Sequence, residues 1–386
     1  MKECWRLAPG MDCKKATINR AGFKCWLAIF FLFAGGVGFS QTLQPGFNAG
    51  EYLQLLSAAD RFHDSINYKL HTPYPDQLEK IFRSPAVGLD NCWEFWMRND
   101  RVGVIVIRGT TTKSISWLEN FYCAMIPAIG SLQVNDSTKF NYKLAADSGA
   151  FVHAGWTLGL SFIAPDIVQR INEAYGQGIK EFLIFGHSQG GALTFLLTSY
   201  LYYLRGNGLP ADIIFKSYCS AAPKPGNLYY AYDFDFITRG GWAQRVVSAL
   251  DWVPESPLTI QTNNDVNEKS PLRNASHLFK KQKFFVRLYL NHVYGSMDKS
   301  SRKARNRMQK YLGHGMYKQI HKTFPQFKEP VYAPSMYYMT AGVPVTLLPY
   351  PEYRQKFVDT TGKNLFIHHS LAAYNDLVQH YYIQPK

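Results

Sequence analysis

Cysteine is scarce in this sequence, with six among 386 residues. Half of them precede Gln41, and the other half follow it at wide spacing, as Cys92, Cys123 and Cys219. Three cysteines allow at most one internal disulfide, and no pair has the spacing of a metal site. A disulfide scaffold is therefore excluded. With 46% hydrophobic and 15% aromatic residues, the composition is sufficient for a sizeable core instead.

Long apolar runs are also lacking. The clearest one, Cys25 to Val37, is well short of the roughly 20 residues of a membrane-spanning helix. Basic residues precede it, and small residues follow at Gly38 and Ser40, which is the layout of a secretory signal peptide. We therefore predict a signal peptide over residues 1–40, cleaved near Ser40, and a periplasmic or secreted product. Met11 is an alternative start, because the basic residues persist after it.

Acidic residues are the third deficit, with 28 Asp and Glu against 42 Lys and Arg and a net charge of +14. The excess is local, because 15 Lys and Arg outnumber four acidic residues between Asp265 and Pro330. Basic clusters alternate there with aromatic and apolar residues. We predict a basic, largely helical insertion over residues 263–330 within a single domain of residues 41–386.

Short apolar runs and helical stretches alternate along the rest of the chain. The predicted strands are 103–107, 182–185, 213–218 and 245–247. The predicted helices are 51–62, 158–175 and 192–204. This alternation predicts an α/β fold, a doubly wound and mostly parallel sheet with helices on both faces.

One predicted strand leads directly into Gly186-His187-Ser188-Gln189-Gly190, and a predicted helix follows. A Gly-x-Ser-x-Gly segment between a strand and a helix is typical of a nucleophile elbow, in which small neighbours permit a sharp turn that exposes the serine hydroxyl. The helix N-terminus stabilises a developing oxyanion. We predict that Ser188 is a nucleophile and that the N–H of Gln189 is an oxyanion donor.

A nucleophilic serine needs a base and a carboxylate that orients the base, and in this arrangement the acid precedes the histidine in the chain. Asp251 ends the run that begins with the predicted strand at Arg245, so its carboxylate would reach the same edge of the sheet as Ser188. Asp233 and Asp235 are competitors in a setting more typical of a helix or loop. Asp251 is therefore the preferred carboxylate.

The late part of the chain offers His368, His369 and His380 as the base. Because the first two are adjacent, only one of them can point inward. His369 opens a helical stretch whose Tyr374 can pack on the core, and we predict that His369 is the base.

Taken together, five separated segments resemble the class 3 lipase family, the fungal-lipase-like α/β-hydrolases. They are IVIRGT at 105–110, VHAGW at 152–156, GHSQGGAL at 186–193, RVV and DWVP within 245–254, and HSL with a tyrosine at 369–374. The segments occur in the order of the family and span about 103–374.

The resemblance implies an α/β-hydrolase fold and a triad of Ser188, Asp251 and His369. It also implies a second oxyanion donor at Thr110, and residues 113–121 are similar in position to the amphipathic lid of the family. A core helix is the alternative for that segment. The chain departs from the family at Gln189, where leucine is more usual, and the basic insertion has no counterpart that we can name.

The predicted function is hydrolysis of carboxylic esters, lipids foremost, through an acyl-enzyme that needs no metal or organic cofactor. A carboxylesterase for soluble or aromatic esters is one alternative, and a non-catalytic lipid-binding protein on a hydrolase scaffold is another. The basic insertion favours either an anionic lipid surface as partner or a solvated cap over the site. Nucleic acid is not an expected partner, because no nucleic-acid-binding module accompanies the basic residues.

Overall fold

The computed structural model describes residues 41–62, 72–360 and 362–384. The predicted signal peptide lies outside the described residues. The compact unit of interest is Thr42–Lys386. Within the described ranges, no helix has both the length and the apolar character of a membrane span.

Most of the strands and helices predicted from the sequence are present in this part of the chain. The strands are β1 (Leu78–Arg83), β2 (Trp93–Arg98), β3 (Gly103–Ile107), β4 (Met125–Pro127), β5 (Ile129–Gln133), β6 (Lys139–Lys143), β7 (Phe151–His153), β8 (Glu181–His187), β9 (Ile214–Ser220), β10 (Gly226–Asn227), β11 (Ala243–Ser248), β12 (Tyr338–Met339) and β13 (Val343–Leu347). The helices are α1 (Ala49–Asp60), α2 (Ser114–Phe121), α3 (Ala154–Gly176), α4 (Gln189–Leu204), α5 (Leu228–Ile237), α6 (Ala275–Leu278), α7 (Phe284–Gln309), α8 (Met316–Thr323), α9 (Tyr353–Lys356) and α10 (Leu371–Val378). Two π-helical turns occupy Lys310–Gly315 and Gln379–Ile383.

The central sheet has the strand order β1-β2-β3-β8-β9-β11-β13. From β3 to β13 every neighbouring pair is parallel, and β1 and β2 add an antiparallel edge. The four predicted strands correspond to β3, β8, β9 and β11. The mostly parallel sheet with helices on both faces confirms the predicted α/β-hydrolase fold. Because parallel strands end at one edge, the segments after β3, β8 and β11 meet there.

Two hydrophobic clusters cover the two faces of this sheet. Along β3 the side chains alternate, with Val104 and Val106 in the cluster that contains α1 and α10, and Ile105 and Ile107 in the cluster that contains α3 and α4. A side chain of this size contributes about 1.5–3 kcal/mol when it is fully buried. The alternation therefore fixes the register of β3, since a shift by one residue would exchange the two faces.

The basic region differs from the rest of the chain in burial. Helix α7 has no buried side chain, whereas α8 returns to the core through Ile320. The side chains of Phe284 and Phe285, at the start of α7, are 61% and 80% exposed. The first half of this long helix thus exposes both apolar and basic groups to solvent.

The three cysteines after Gln41 form no disulfide. Cys92, Cys123 and Cys219 are all buried free thiols.

Candidate active site

Ser188 lies on a sharp turn between β8 and α4. Its backbone has φ 64° and ψ −128°, a region that non-glycine residues rarely adopt. A Cβ on Gly186 would lie 2.1 Å from the carbonyl oxygen of Gly190, and a Cβ on Gly190 would lie 2.3 Å from that of Ile107. The two glycines of the motif are thus required where β3, β8 and α4 approach one another. The N–H of Ser188 donates to the carbonyl oxygen of Ser220 at 2.9 Å.

His369 and Asp251 form a buried pair, with Nδ1 of His369 2.7 Å from Oδ2 of Asp251. The same Oδ2 accepts a hydrogen bond from the Tyr374 hydroxyl at 2.8 Å, and Oδ1 accepts one from the Val253 N–H at 3.0 Å. The turn after β11 supplies the carboxylate, and α10 supplies the tyrosine. Three donors thus fix the carboxylate, which in turn orients the imidazole.

The competing carboxylates lie elsewhere, on α5. Asp233 accepts hydrogen bonds from the Tyr203 hydroxyl and the Ala146 N–H. Asp235 accepts one from the Gly342 N–H. Neither carboxylate has a histidine among its hydrogen-bond partners in the described part of the chain.

The two other candidate histidines have structural partners of their own. Nδ1 of His368 is 3.0 Å from the Tyr353 hydroxyl oxygen, and the ring of His380 stacks on Tyr350 with centroids 3.7 Å apart. Of the three late histidines, His369 is the buried one that pairs with a predicted carboxylate.

The second ring nitrogen of His369, Nε2, is buried and has no hydrogen-bond partner among the described residues. Because Nδ1–H donates to the Asp251 carboxylate, Nε2 carries the lone pair. An unpaired buried acceptor is unfavourable by roughly 1–3 kcal/mol. His369 lines the same cavity as Ser188, so this atom is available to accept a proton there.

The cavity has a volume of about 1000 Å³ and a mainly apolar lining. Its large side chains come from several elements and include Trp117, Phe121, Trp156, Trp252, Leu258 and Phe366. Thr110 and Gln189 line it beside the serine and the histidine. A large apolar cavity with a few convergent polar groups is the usual form of a site for a small organic substrate.

Two groups at this edge can hold an oxyanion. Asn120 donates from Nδ2 to the Thr110 hydroxyl oxygen at 2.9 Å, and its Oδ1 accepts from the Trp156 indole at 3.0 Å. A hydroxyl that accepts from Asn120 keeps its own hydrogen for a further acceptor. The N–H of Gln189 is in the first turn of α4, where N–H groups have no acceptor within the helix.

The side chain of Gln189 is tied to α2, a link that no sequence pattern predicted. The Ser116 hydroxyl donates to its Oε1 at 3.2 Å. Glu119, one turn further along α2, is fully buried and accepts from Asn91 Nδ2 at 2.8 Å. Burial raises the pKa of Glu119 to about 8, so its carboxyl is protonated at neutral pH. Helix α2 therefore turns its polar face inward, while Trp117 lines the cavity.

His187 is a second residue that sequence reasoning missed, since it appeared only as a variable position of the motif. Its Nε2 is 2.7 Å from the carbonyl oxygen of His369, and its Nδ1 is 2.9 Å from Oγ of Ser220. Burial lowers the pKa of His187 to about 3, so the ring is neutral. Because a carbonyl only accepts, Nε2 carries the hydrogen and Nδ1 accepts from Ser220. The Tyr52 hydroxyl lies 2.6 Å from the same Oγ.

Comparisons with known proteins give one family match for this chain. Residues 104–261, which contain Ser188, Asp251 and Thr110, match the family model for Lipase (class 3). The match confirms the predicted resemblance to the class 3 lipases over this part of the chain. The protein is an ester hydrolase with the α/β-hydrolase fold described above.

Solved structures similar to the chain are also lipases, at low identity. M37 lipase is 17% identical, with 88% of this chain and 100% of that chain covered and a TM-score of 0.44. A triacylglycerol lipase from Penicillium expansum is 20% identical, with 55% and 76% covered and a TM-score of 0.38. Lip2 lipase from Yarrowia lipolytica is 17% identical, with 56% and 77% covered and a TM-score of 0.39. A comparison with curated protein sequences gives no match.

Proposed function

We propose that the protein hydrolyses lipid esters through a triad of Ser188, His369 and Asp251. One observation carries the proposal. The ring of His369 is held by a buried carboxylate through Nδ1, and its unpaired Nε2 belongs to a residue that lines the cavity of Ser188. This is the arrangement that a general base for a serine nucleophile requires.

In the proposed reaction, Nε2 of His369 takes the hydroxyl proton as Oγ of Ser188 bonds to the ester carbonyl carbon. The carbonyl electron pair moves to oxygen, which the Gln189 N–H and the N–H and hydroxyl of Thr110 stabilise. Asp251 stabilises the imidazolium. The imidazolium then gives its proton to the departing alcohol, and water releases the acid from the acyl-enzyme by the same route.

The test of the triad is the loss of ester hydrolysis in Ser188→Ala. Ser131→Ala, at an exposed position on β5, is the matched control. We expect p-nitrophenyl ester turnover to fall by at least about 10³-fold in Ser188→Ala and to be unchanged in the control. A fluorophosphonate probe should label the parent protein and not Ser188→Ala. Parent protein that neither reacts with the probe nor turns over any ester would indicate a lipid-binding protein instead.

The apolar lining and volume of the cavity support lipid esters over small soluble ones. The discriminating measurement is kcat/KM for p-nitrophenyl esters from acetyl to palmitoyl, with and without liposomes. Preference for long acyl chains is the expected result. Turnover limited to acetyl and butyryl esters would make the protein a carboxylesterase.

The proposal extends to an anionic lipid surface as partner of the basic region. Its support is the exposure of α7, where Phe284 and Phe285 adjoin the basic segment 280–283, a combination that binds anionic membrane interfaces. Replacement of Lys280, Lys281 and Lys283 by Gln should weaken flotation with phosphatidylglycerol vesicles. Lys139→Gln on β6 is the control, and equal flotation with phosphatidylcholine vesicles would contradict an electrostatic contribution.

Export completes the proposal, and its support is the pattern of residues 1–40. The expected mature protein begins at Gln41 and accumulates outside the cytoplasm. N-terminal sequencing of the protein from the extracytoplasmic fraction is the measurement. An intact N-terminus in a protein retained in the cytoplasm would contradict cleavage near Ser40.

A further inference from the structure

The basic region contributes to the wall of the cavity, although its charge suggests a purely external role. Two of its side chains, Met308 near the end of α7 and Leu312 in the π-helical turn, line the cavity that contains Ser188. They are four residues apart, a spacing that brings side chains to one side of a helix. Neither is charged, and each is partly buried, in contrast to the exposed first half of α7.

Main-chain contacts fix this part of the insertion to the hydrolase body. The carbonyl oxygen of Leu312 accepts from the N–H of Ala124 at 3.1 Å. A Cβ on Gly313 would lie 2.8 Å from Cβ of Ala124, so the turn packs against the residue before β4 with no room for a side chain. Gln309 donates to the carbonyl oxygen of Ala333. The turn is thus fixed in place beside the cavity.

Packing places the two side chains at a boundary between core and cavity. Met308 and Leu312 both contact the small hydrophobic cluster that includes Cys123 and Met336, and Cys123 lines the cavity too. The wall they form is apolar throughout. It suits a hydrocarbon chain and has no group that would recognise a polar acid.

We propose that Met308 and Leu312 form a wall of the acyl site and determine the acyl chain length that the enzyme accepts, with long-chain fatty acyl esters as substrate. The inference rests on the proposed function of Ser188. Each methylene that an apolar wall removes from water strengthens binding about fourfold. Filling the cavity at this wall therefore penalises long acyl chains and leaves short ones unaffected.

The experiment compares kcat/KM for p-nitrophenyl palmitate and butyrate in detergent solution, without vesicles. Met308→Trp narrows the cavity at the wall, and Leu312→Ala widens it. Val331→Trp adds the same indole at a position that is 83% exposed and away from the cavity lining. Thermal melting of each variant identifies any that fail to fold.

We expect Met308→Trp to lower the palmitate-to-butyrate ratio at least about tenfold, equivalent to two methylenes excluded from the wall. Butyrate turnover should change less than twofold, Leu312→Ala should shift the ratio in the opposite direction, and Val331→Trp should leave it unchanged. If Met308→Trp and Leu312→Ala both fold and both keep the palmitate-to-butyrate ratio of the parent protein, the proposed role of the wall is wrong. The triad is unaffected by that result. If the parent protein shows no ester hydrolysis that depends on Ser188, the proposed triad and the proposed wall are both wrong.

Discussion

The Nε2–H of His187 donates to the backbone carbonyl oxygen of His369 across 2.7 Å. The residue before the predicted nucleophile thus holds the segment that carries the predicted base. Ser220 and Tyr52 continue this hydrogen-bonded chain to α1. The first helix of the described region therefore supports the position of a residue near its C-terminal end.

We predict that His187→Ala lowers kcat for ester hydrolysis by roughly 10²-fold, because the backbone of His369 loses its anchor and the imidazole is misplaced. His187 is a positioning residue, so KM should change little. Steady-state kinetics that separate kcat from KM check this. His292→Ala, at an exposed position on α7, is the control, and an unchanged kcat in His187→Ala would mean that packing alone places His369.

The stability of the protein should fall below neutral pH because of buried neutral histidines. Burial lowers the pKa of His153 from 6.5 to about 3. Between these values the unfolded chain binds a proton that the folded chain does not, so the free energy of unfolding decreases as pH falls, by about 1.4 kcal/mol per pH unit for this group. His187 acts in the same sense.

His153→Asn tests this dependence, because asparagine retains the cap of α3 that the His153 ring gives to the Trp156 N–H. Urea unfolding at pH 7, 6 and 5 should show a shallower loss of stability in the variant than in the parent protein. Parallel pH dependences for the two proteins would contradict a buried neutral His153.

Glu119 should make the protein less stable as the pH rises, which is opposite to the effect of the buried histidines. Its pKa is raised from 4.5 to about 8 by burial. The folded chain retains the proton that the unfolded chain loses, so stability decreases as pH rises through this window, by about 1.4 kcal/mol per pH unit. Glu119→Gln has no proton to lose and should unfold at a higher urea concentration than the parent protein, by a margin that grows up to about pH 8. A constant margin from pH 5 to 8 would contradict a protonated Glu119.

Tyr374→Phe removes the hydroxyl that donates to Asp251 at 2.8 Å and accepts from the Ser248 N–H at 3.0 Å. Loss of these buried hydrogen bonds should lower the free energy of unfolding by about 1–3 kcal/mol. The kcat for ester hydrolysis should also fall, because Asp251 loses a donor that fixes its carboxylate and so orients His369 less well. Tyr311→Phe, at a position 60% exposed, is the control and should change neither the free energy of unfolding nor the kinetics. An effect in Tyr311→Phe as large as that in Tyr374→Phe would exclude a specific role for Tyr374.

The sequence alone predicts the structural features whose determining residues are neighbours in the chain. The turn at Ser188 depends on Gly186 and Gly190 between a strand and a helix, so the local pattern predicts its geometry. The central strands were predictable because continuous apolar runs are typical of strands buried on both faces. Strands β1 and β2 were not, since polar and charged residues interrupt them at the sheet edge.

Contacts between segments that are distant in the chain could not be predicted, because no local sequence pattern marks them. The hydrogen bond of Gln189 with Ser116 joins two helices through polar groups, whereas helical periodicity predicts only where the apolar side lies. Met308 and Leu312 lie among basic residues whose charge dominated the sequence pattern. The sequence favours His369 over the adjacent His368 because His369 opens a helical stretch, but the contact of His369 with Asp251 depends on the packing of α10.

The three buried thiols have a consequence for where the protein can fold. Burial raises the pKa of Cys123 to about 12, and that of Cys219 is raised as well, so both sulfurs remain protonated and poorly reactive. With no bridge to form among the described cysteines, the hydrolase region requires neither an oxidant nor a disulfide isomerase. We therefore expect it to reach the same folded state under reducing and oxidising conditions.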